Sequence, residues 1–185
     1  MNRLVWFRND LRLLDNEPLT AATSEFAGSV AYVYIDDTRG LGDSRTSFAV
    51  SLQRRKFLAE CLLDLQLQLR ERGADLTCLQ GDPTTLLPAL CNELDIKDFY
   101  FSRLTAFNER RDQQTISSQL ADVGVRVHQF QNTTLIHDQD VSFDPYKLLS
   151  FSRLRKRVEK SWPVRAPLTA PARLPKSLTT SRPNW

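Results

Sequence analysis

Short apolar runs alternate along the chain with longer segments in which apolar side chains recur every three or four positions. The apolar runs predict buried strands, because parallel strands covered on both faces read as continuous apolar segments. These strands are expected at residues 4–7, 29–35, 76–79, 99–101 and 125–130. The helical period of the intervening segments predicts helices over about 17–26, 47–72, 83–94 and 109–123.

Capping residues support these boundaries. Asp15 or Asn16 can cap the first helix and Asp82 the third, while Gly73 and Gly124 follow the ends of two others. Strands that are each separated by a helix predict an α/β fold with a doubly wound, five-stranded parallel sheet, Rossmann-like or flavodoxin-like, joined by right-handed crossovers. The alternation alone does not fix the order of the strands.

The last third of the chain follows a different pattern. Asp144-Pro145 can begin a helix that runs to about residue 161, with one apolar stripe surrounded by basic residues. From Trp162 onward prolines recur and predict an extended segment. We therefore expect an α/β domain over 1–143, a basic amphipathic helix over 144–161 and a proline-rich interdomain linker over 162–185.

Charge is distributed unevenly between these regions. The net charge is +3, yet residues 151–185 hold nine of the 25 basic residues and one of the 22 acidic residues. This basic end admits two interpretations. It is either a stripe that contacts nucleic-acid phosphates, or a solvated helix face followed by a linker that wraps around an acidic body.

Several site classes have no sequence support. The three cysteines, in apolar surroundings, are expected to be reduced thiols in a reducing compartment. The sequence has no C-x-x-C or H-x-x-x-H pair for a metal and no glycine-rich nucleotide loop. No apolar run is long enough to span a bilayer, and the first strand leaves no room for a signal peptide, so we expect a cytoplasmic protein that contacts no membrane.

Residues 4–16 read LVWFRNDLRLLDN and place a charged loop directly after the first strand. This segment resembles the opening of the DNA photolyase and cryptochrome family, with Leu14 where the family usually has His. Further stretches are similar to the same family and most of all to its DASH-type cryptochromes. They are RRKFLAE (54–60) with LDL (63–65), QGDP (80–83) with LLP (86–88), TTLIH (133–137), and FSRLRKRVE (151–159) with VRAPL (164–168).

The resemblance implies an N-terminal domain that binds an antenna chromophore, within a light-dependent, flavin-dependent DNA repair enzyme or blue-light photoreceptor. In such proteins a helical domain follows, binds FAD and acts on DNA. We expect that domain to lie outside this sequence, so that the chain alone lacks FAD, repair activity and catalytic residues. Its expected partners are the helical FAD domain or a flavoprotein, DNA in the full-length parent, and a second copy through the exposed interdomain face.

The stretch FNER (107–110) resembles the family segment in which an Asn and a Glu contact a folate antenna, methenyltetrahydrofolate. By this resemblance Asn108 and Glu109 bind the cofactor, since a carboxylate accepts donors from a ring edge and an amide offers both a donor and an acceptor. The alternative is structural: Asn108 is a suitable helix N-cap and Glu109 a favourable first-turn anion.

The charged loop after the first strand has two interpretations. Arg8, Asp10, Arg12 and Asp15 are either a ligand-binding cluster or, as we favour, the residues that hold this loop against the helical domain at an interdomain interface. The two histidines, His128 and His137, are expected to be structural. A rival function from another class is a stand-alone, non-catalytic binding module for a nucleotide-like ligand or for a separate flavoprotein.

Overall fold

Five parallel strands form one sheet in a computed structural model that describes residues 1–25, 28–37, 39, 51–140, 143, 147, 150–161 and 164–182. The strand order is β3-β2-β1-β4-β5. The strands are β1 (Asn2–Phe7), β2 (Ser29–Asp36), β3 (Leu76–Gln80), β4 (Ile96–Ser102) and β5 (Arg126–Phe130). All five strands expected from the sequence are present, and the α/β prediction is confirmed.

Helices connect the strands, and their boundaries follow from local capping. They are α1 (Glu17–Thr23), α2 (Leu52–Glu71), α3 (Pro83–Glu93), α4 (Phe107–Asp122) and α5 (Phe151–Ser161). Asn16 caps α1 by accepting from the backbone N–H of Leu19 at 3.0 Å. Asp82 caps α3 by accepting from Thr84 N–H at 2.8 Å. Helix α1 ends at Thr23, before the end expected near Phe26, because Ser24 is extended and caps it. Helix α5 begins at Phe151, after the start expected at Asp144. Residues 47–50, 144–146 and 148–149 of the expected helices lie outside the described residues, as does Phe26.

The sheet separates two apolar cores, because successive side chains of a strand point to opposite faces. Val5 and Phe7 of β1 pack with α1 and α2 on one face, for example with Leu65. Leu4 and Trp6 pack with α3 and α4 on the other face. Full burial of one such leucine contributes about 2 kcal/mol relative to an exposed one.

The direction of winding reverses at the centre of the sheet. The central strand β1 pairs with β2 on one side and with β4 on the other. At such a reversal the loops that leave the two neighbouring strands diverge and open a crevice at their carboxyl ends. The loops after β1 and β4 are therefore where a ligand site is expected.

Residues 164–182, which we call the strap, run extended along the body. The strap pairs with the start of β2, where Val30 donates to the carbonyl of Lys176 and accepts from Leu178, both at 3.0 Å. Leu174 is buried in the core on the α2 side. The extended conformation expected from the prolines is observed in the strap. Trp162, Pro163 and Pro183 lie outside the described residues.

Candidate functional site

The described residues enclose two clefts at the carboxyl edge of the sheet. The first, which we call the α4 cleft, has a volume of about 1000 Å³ and lies between the ends of β1 and β2 and the first turns of α2 and α4. The second, the strap cleft, has a volume of about 720 Å³ and lies between the loops after β1 and β5 and the start of the strap. Asn9 and Leu104 line both clefts and separate them.

The structure divides the residues selected from the sequence between these clefts. Arg8, Asn108 and Glu109 line the α4 cleft. Asp10, Arg12 and Asp15 line the strap cleft. The loop after β1 therefore supplies two different sites rather than one cluster.

Arg8 is a half-buried cation in the lining of the α4 cleft. Its guanidinium carbon lies 4.3 Å from the centre of the Trp6 ring, which is a cation–π arrangement. One terminal nitrogen donates to the side-chain oxygen of Gln113 and lies 3.4 Å from the carbonyl oxygen of Ser102. Burial lowers the pKa of Arg8 to about 10, although nearby carboxylates, Glu109 foremost, oppose this effect. The side chain therefore keeps its charge at neutral pH.

Asp10 acts as an internal brace. Its carboxylate accepts from the backbone N–H of Arg8 at 3.0 Å and from the hydroxyl of Ser102 at 2.5 Å. The residue is 5% exposed, and this pairing satisfies both of its oxygens. Asp10 thus joins the loop after β1 to the end of β4.

Arg12 and Asp15 form a local turn at the surface. Arg12 donates to the carbonyl oxygens of Leu14 and Asp15 at 3.1 and 3.0 Å. Its ion pair with the Asp15 carboxylate spans 3.8 Å between half-exposed groups, so it contributes less than about 1 kcal/mol. Asp15 has a positive φ of 51°, a conformation that Asp adopts more readily than most residues.

Asn108 does not cap α4, so the structural interpretation of this residue was wrong. The helix begins at Phe107, and Ala106 occupies the cap position without a side-chain hydrogen bond. Asn108 is exposed, and its amide makes no hydrogen bond within the described part of the chain. Glu109 does lie in the first turn, where the helix dipole favours an anion. The Asn108 amide can therefore donate and accept hydrogen bonds to a ligand, and the Glu109 carboxylate can accept them.

Gln113 is a site residue that the sequence analysis missed. It is 4% exposed and lies four residues after Glu109, on the same side of α4. Its amide oxygen accepts from Leu104 N–H at 2.6 Å and its amide nitrogen donates to the Leu104 carbonyl at 3.1 Å. The sequence could have indicated it, because Gln113 lies three and seven residues before Ile116 and Leu120, on the buried side of α4. A polar side chain on that side needs hydrogen-bond partners.

Arg39 joins three elements beneath the α4 cleft. It donates to both oxygens of Asp37, at 2.9 and 2.6 Å, and reaches Asp112 of α4 at 2.5 Å. Asp82, the cap of α3, lies 3.2 Å away. These hydrogen bonds, first to Asp37 and then to Asp112, raise the pKa of Arg39. The three carboxylates are far apart in sequence, so no local motif predicts the cluster.

Basic side chains outnumber acidic ones in the lining of the α4 cleft, which also contains Asp36 and Glu109. The first two turns of α2 contribute Arg54, Arg55 and Lys56, of which Lys56 pairs with Glu60 at 3.8 Å. All three are exposed. The rim therefore favours a ligand with an anionic group.

The two histidines lie at different places, His128 on β5 and His137 in the lining of the strap cleft, and the three cysteines are free thiols. His128 bonds to the buried Asp98 at 2.9 Å and stacks on Tyr100 at 4.4 Å between ring centres. His137 lies 3.7 Å from Glu17. Burial raises the pKa of Cys78 to about 11, so its thiol stays protonated. The described part of the chain contains no cluster of metal-ligating side chains and no helix able to cross a membrane.

Comparison with known proteins identifies the family. Residues 3–174 match the family model of DNA photolyase. The chain is 38% identical to Cryptochrome DASH of Gloeobacter violaceus, over 93% of this chain and 35% of that protein. It is 31% identical to Cryptochrome DASH of Natronomonas pharaonis, over 93% and 36%. The chain thus spans about a third of the length of these relatives.

Solved structures give the same result. The Synechocystis sp. PCC6803 cryptochrome superposes with a TM-score of 0.88 at 30% identity, over 95% of this chain and 37% of that one. The archaeal photolyase from Sulfolobus tokodaii, whose crystal structure holds two FAD molecules, superposes with a TM-score of 0.77 at 25% identity, over 97% and 39%. The chain therefore belongs to the DNA photolyase family and corresponds to the α/β domain of its photolyases and cryptochromes.

Proposed function

We propose that this domain binds a light-harvesting antenna chromophore in the α4 cleft. One observation carries the proposal: Asn108 and Glu109 line a cleft of about 1000 Å³. Neither side chain has a hydrogen-bond partner in the described part of the chain. A cleft of this size accommodates a drug-sized ring system. The bound chromophore would pass light energy to a flavin in the same photolyase-type assembly.

The first candidate is a folate, methenyltetrahydrofolate. The resemblance of 107–110 to the folate-contacting stretch of the family supports this choice. The Glu109 carboxylate can accept two N–H donors from the amino-substituted ring edge, and the Asn108 amide can complete the contact.

The second candidate is a flavin nucleotide. The basic rim formed by Arg54, Arg55 and Lys56 favours an anionic phosphate more than a neutral ring. The second FAD molecule in the Sulfolobus tokodaii photolyase, described with the implication of a novel light-harvesting cofactor, is a precedent in a related protein.

For the longer protein, we propose a light-dependent, flavin-dependent DNA repair enzyme or blue-light photoreceptor. Of the four expected interface residues, Arg12 and Asp15 lie at the surface beside the strap cleft, and a helical FAD domain or a separate flavoprotein would face this side. Arg8 and Asp10 would support this interface from within the loop, and DNA would be bound by the full-length protein. The strap would then run between the two domains. A cytoplasmic location, which suits the three free cysteines, completes this proposal. Where no flavin domain or flavoprotein covers this face, a second copy of the chain would bind there instead.

The alternative is a stand-alone module that binds a nucleotide-like ligand without any flavin domain. Both functions place the ligand in the α4 cleft. They differ at the strap cleft, which a flavin domain or flavoprotein covers in the first function and not in the second.

Spectroscopic titration of the purified chain with methenyltetrahydrofolate and with FMN tests the proposed function. Saturable binding that Glu109→Gln weakens, because one carboxylate acceptor becomes an amide, supports it. Failure of the unmodified chain to bind either chromophore would reject it.

A further inference from the structure

We propose that Arg8 contacts the pyrimidinone edge of the chromophore, and that Gln113 is a positioning residue that holds the Arg8 guanidinium in place. A pyrimidinone edge presents a carbonyl oxygen beside an N–H group, and it is common to pterins and flavins. The inference deepens the proposed function and rests on it, since it requires a chromophore in the α4 cleft.

Arg8 makes no direct ion pair within the described part of the chain, although Glu109, Asp10 and Asp112 lie near it. Its hydrogen-bond acceptors among the described residues are neutral: the side-chain amide of Gln113 and the carbonyl of Ser102. Within the described residues, no carboxylate oxygen lies within ion-pair distance of its guanidinium, and the remaining N–H groups have no acceptor. A half-buried cation that makes no direct ion pair with the carboxylates near it gains from an acceptor that a ligand supplies.

Gln113 fixes which way Arg8 points. Leu104 engages both ends of the amide, so the amide oxygen must face the Leu104 N–H and the nitrogen must face the Leu104 carbonyl. The same oxygen accepts from Arg8, while the Trp6 ring supports the guanidinium from one face. Arg8 therefore has a defined plane and a defined free edge towards the α4 cleft.

The pair formed by Arg8 and Glu109 matches the proposed ligand edge. Arg8 supplies N–H donors in a planar fork, and Glu109 supplies carboxylate acceptors from the first turn of α4. A carbonyl oxygen next to an N–H group needs one donor and one acceptor side by side. Neither a bare phosphate nor a cation satisfies both residues.

The test compares Arg8→Lys, Gln113→Leu and Gln113→Glu with Gln114→Leu, an exposed glutamine on the next position of α4. The probes are riboflavin, FMN and methenyltetrahydrofolate, and the readouts are the dissociation constant and the absorption maximum of the saturated complex. Circular dichroism and thermal unfolding establish that each variant is folded.

We expect Arg8→Lys to weaken binding about 10-fold or more, because a charge-assisted hydrogen bond in fixed geometry is lost. Riboflavin and FMN should lose affinity equally, and the absorption maximum should shift. Gln113→Leu should reproduce both effects. Gln113→Glu, which keeps the acceptor for Arg8, should bind better than Gln113→Leu, and Gln114→Leu should behave as the unmodified chain.

Three outcomes would overturn the inference while leaving the proposed function intact. The first is an unchanged dissociation constant in Arg8→Lys. The second is a loss of affinity in Arg8→Lys for FMN but not for riboflavin, which assigns Arg8 to the phosphate. The third is a Gln113→Leu complex with an unshifted absorption maximum, which assigns Gln113 to loop stability alone. Absence of binding by the unmodified chain would reject the proposed function itself.

Discussion

Asp15 and Leu168 hold each other through two hydrogen bonds that join the loop after β1 to the start of the strap. Asp15 N–H donates to the Leu168 carbonyl at 2.8 Å, and Leu168 N–H donates to the Asp15 carboxylate at 3.3 Å. This pair closes one side of the strap cleft. The strap is therefore part of the folded domain along the described residues and adds to its stability.

The strap should be needed for full stability of the domain. Leu174→Ala removes a side chain that is 9% exposed and packs in the α2-side core, so we expect a loss of about 2 kcal/mol in the free energy of unfolding. Urea denaturation measures this loss. Leu168→Ala, at a position that is 37% exposed, is the matched control and should cost less than half as much. Equal, small effects of both substitutions would show that the strap contributes no packing.

The acid stability of the domain should depend on Asp98. Hydrogen bonds from Arg126, at 2.7 Å to each oxygen, lower the pKa of Asp98 to about 2, against the effect of desolvation, and His128 assists. A depressed carboxyl pKa contributes stability that is present above the unfolded value of about 4 and lost as the pH falls through 2. The carboxylate is 2% exposed, so the contribution is about 2 kcal/mol.

Asp98→Asn should therefore lower stability at pH 7 and flatten its dependence on pH between about 4 and 2. Thermal unfolding across this range is the measurement. Asp95→Asn is the control, because Asp95 is an exposed partner of Lys97 and its positive φ suits Asn equally well. If the stability of Asp98→Asn falls between pH 4 and 2 as steeply as that of Asp95→Asn, Asp98 does not determine the acid stability of the domain.

Any nucleic-acid binding by this chain should depend on α5. Arg153, Lys156 and Lys160 lie on one helical face at spacings of three and four residues, and none has an ion-pair partner in the described part of the chain. By contrast, Arg165 and Arg182 of the strap pair with Asp140 and Glu93. The structure thus neutralises part of the basic end and leaves the α5 face charged.

Replacing these three α5 residues by Gln should weaken binding to a labelled oligonucleotide. The slope of log affinity against log salt should fall by about 2 for a single strand, as expected for three lost phosphate contacts. The triple substitution of Arg54, Arg55 and Lys56 by Gln removes the same charge from another exposed helix and is the control. If both triples reduce binding equally, net charge rather than the α5 face accounts for the interaction.

Sequence patterns anticipated the architecture more completely than the site. The strands and the helix caps at Asn16 and Asp82 depend on residues that are neighbours in sequence, so local sequence patterns predict them. The strand order, the Arg39 cluster and the contact between Gln113 and Arg8 join residues that are far apart in sequence, and no local pattern encodes them. The division of Arg8 from Asp10 between two clefts likewise depends on Leu104, which reaches them from another loop.

A crystal structure of the chain grown with saturating methenyltetrahydrofolate, and a second grown with FMN, tests the central claim most directly. We expect density for at least one ring system in the α4 cleft, within hydrogen-bond distance of Glu109 and with Asn108 turned towards it. Density for the ring in the strap cleft, or in neither cleft, would contradict the assignment of the α4 cleft as the antenna site.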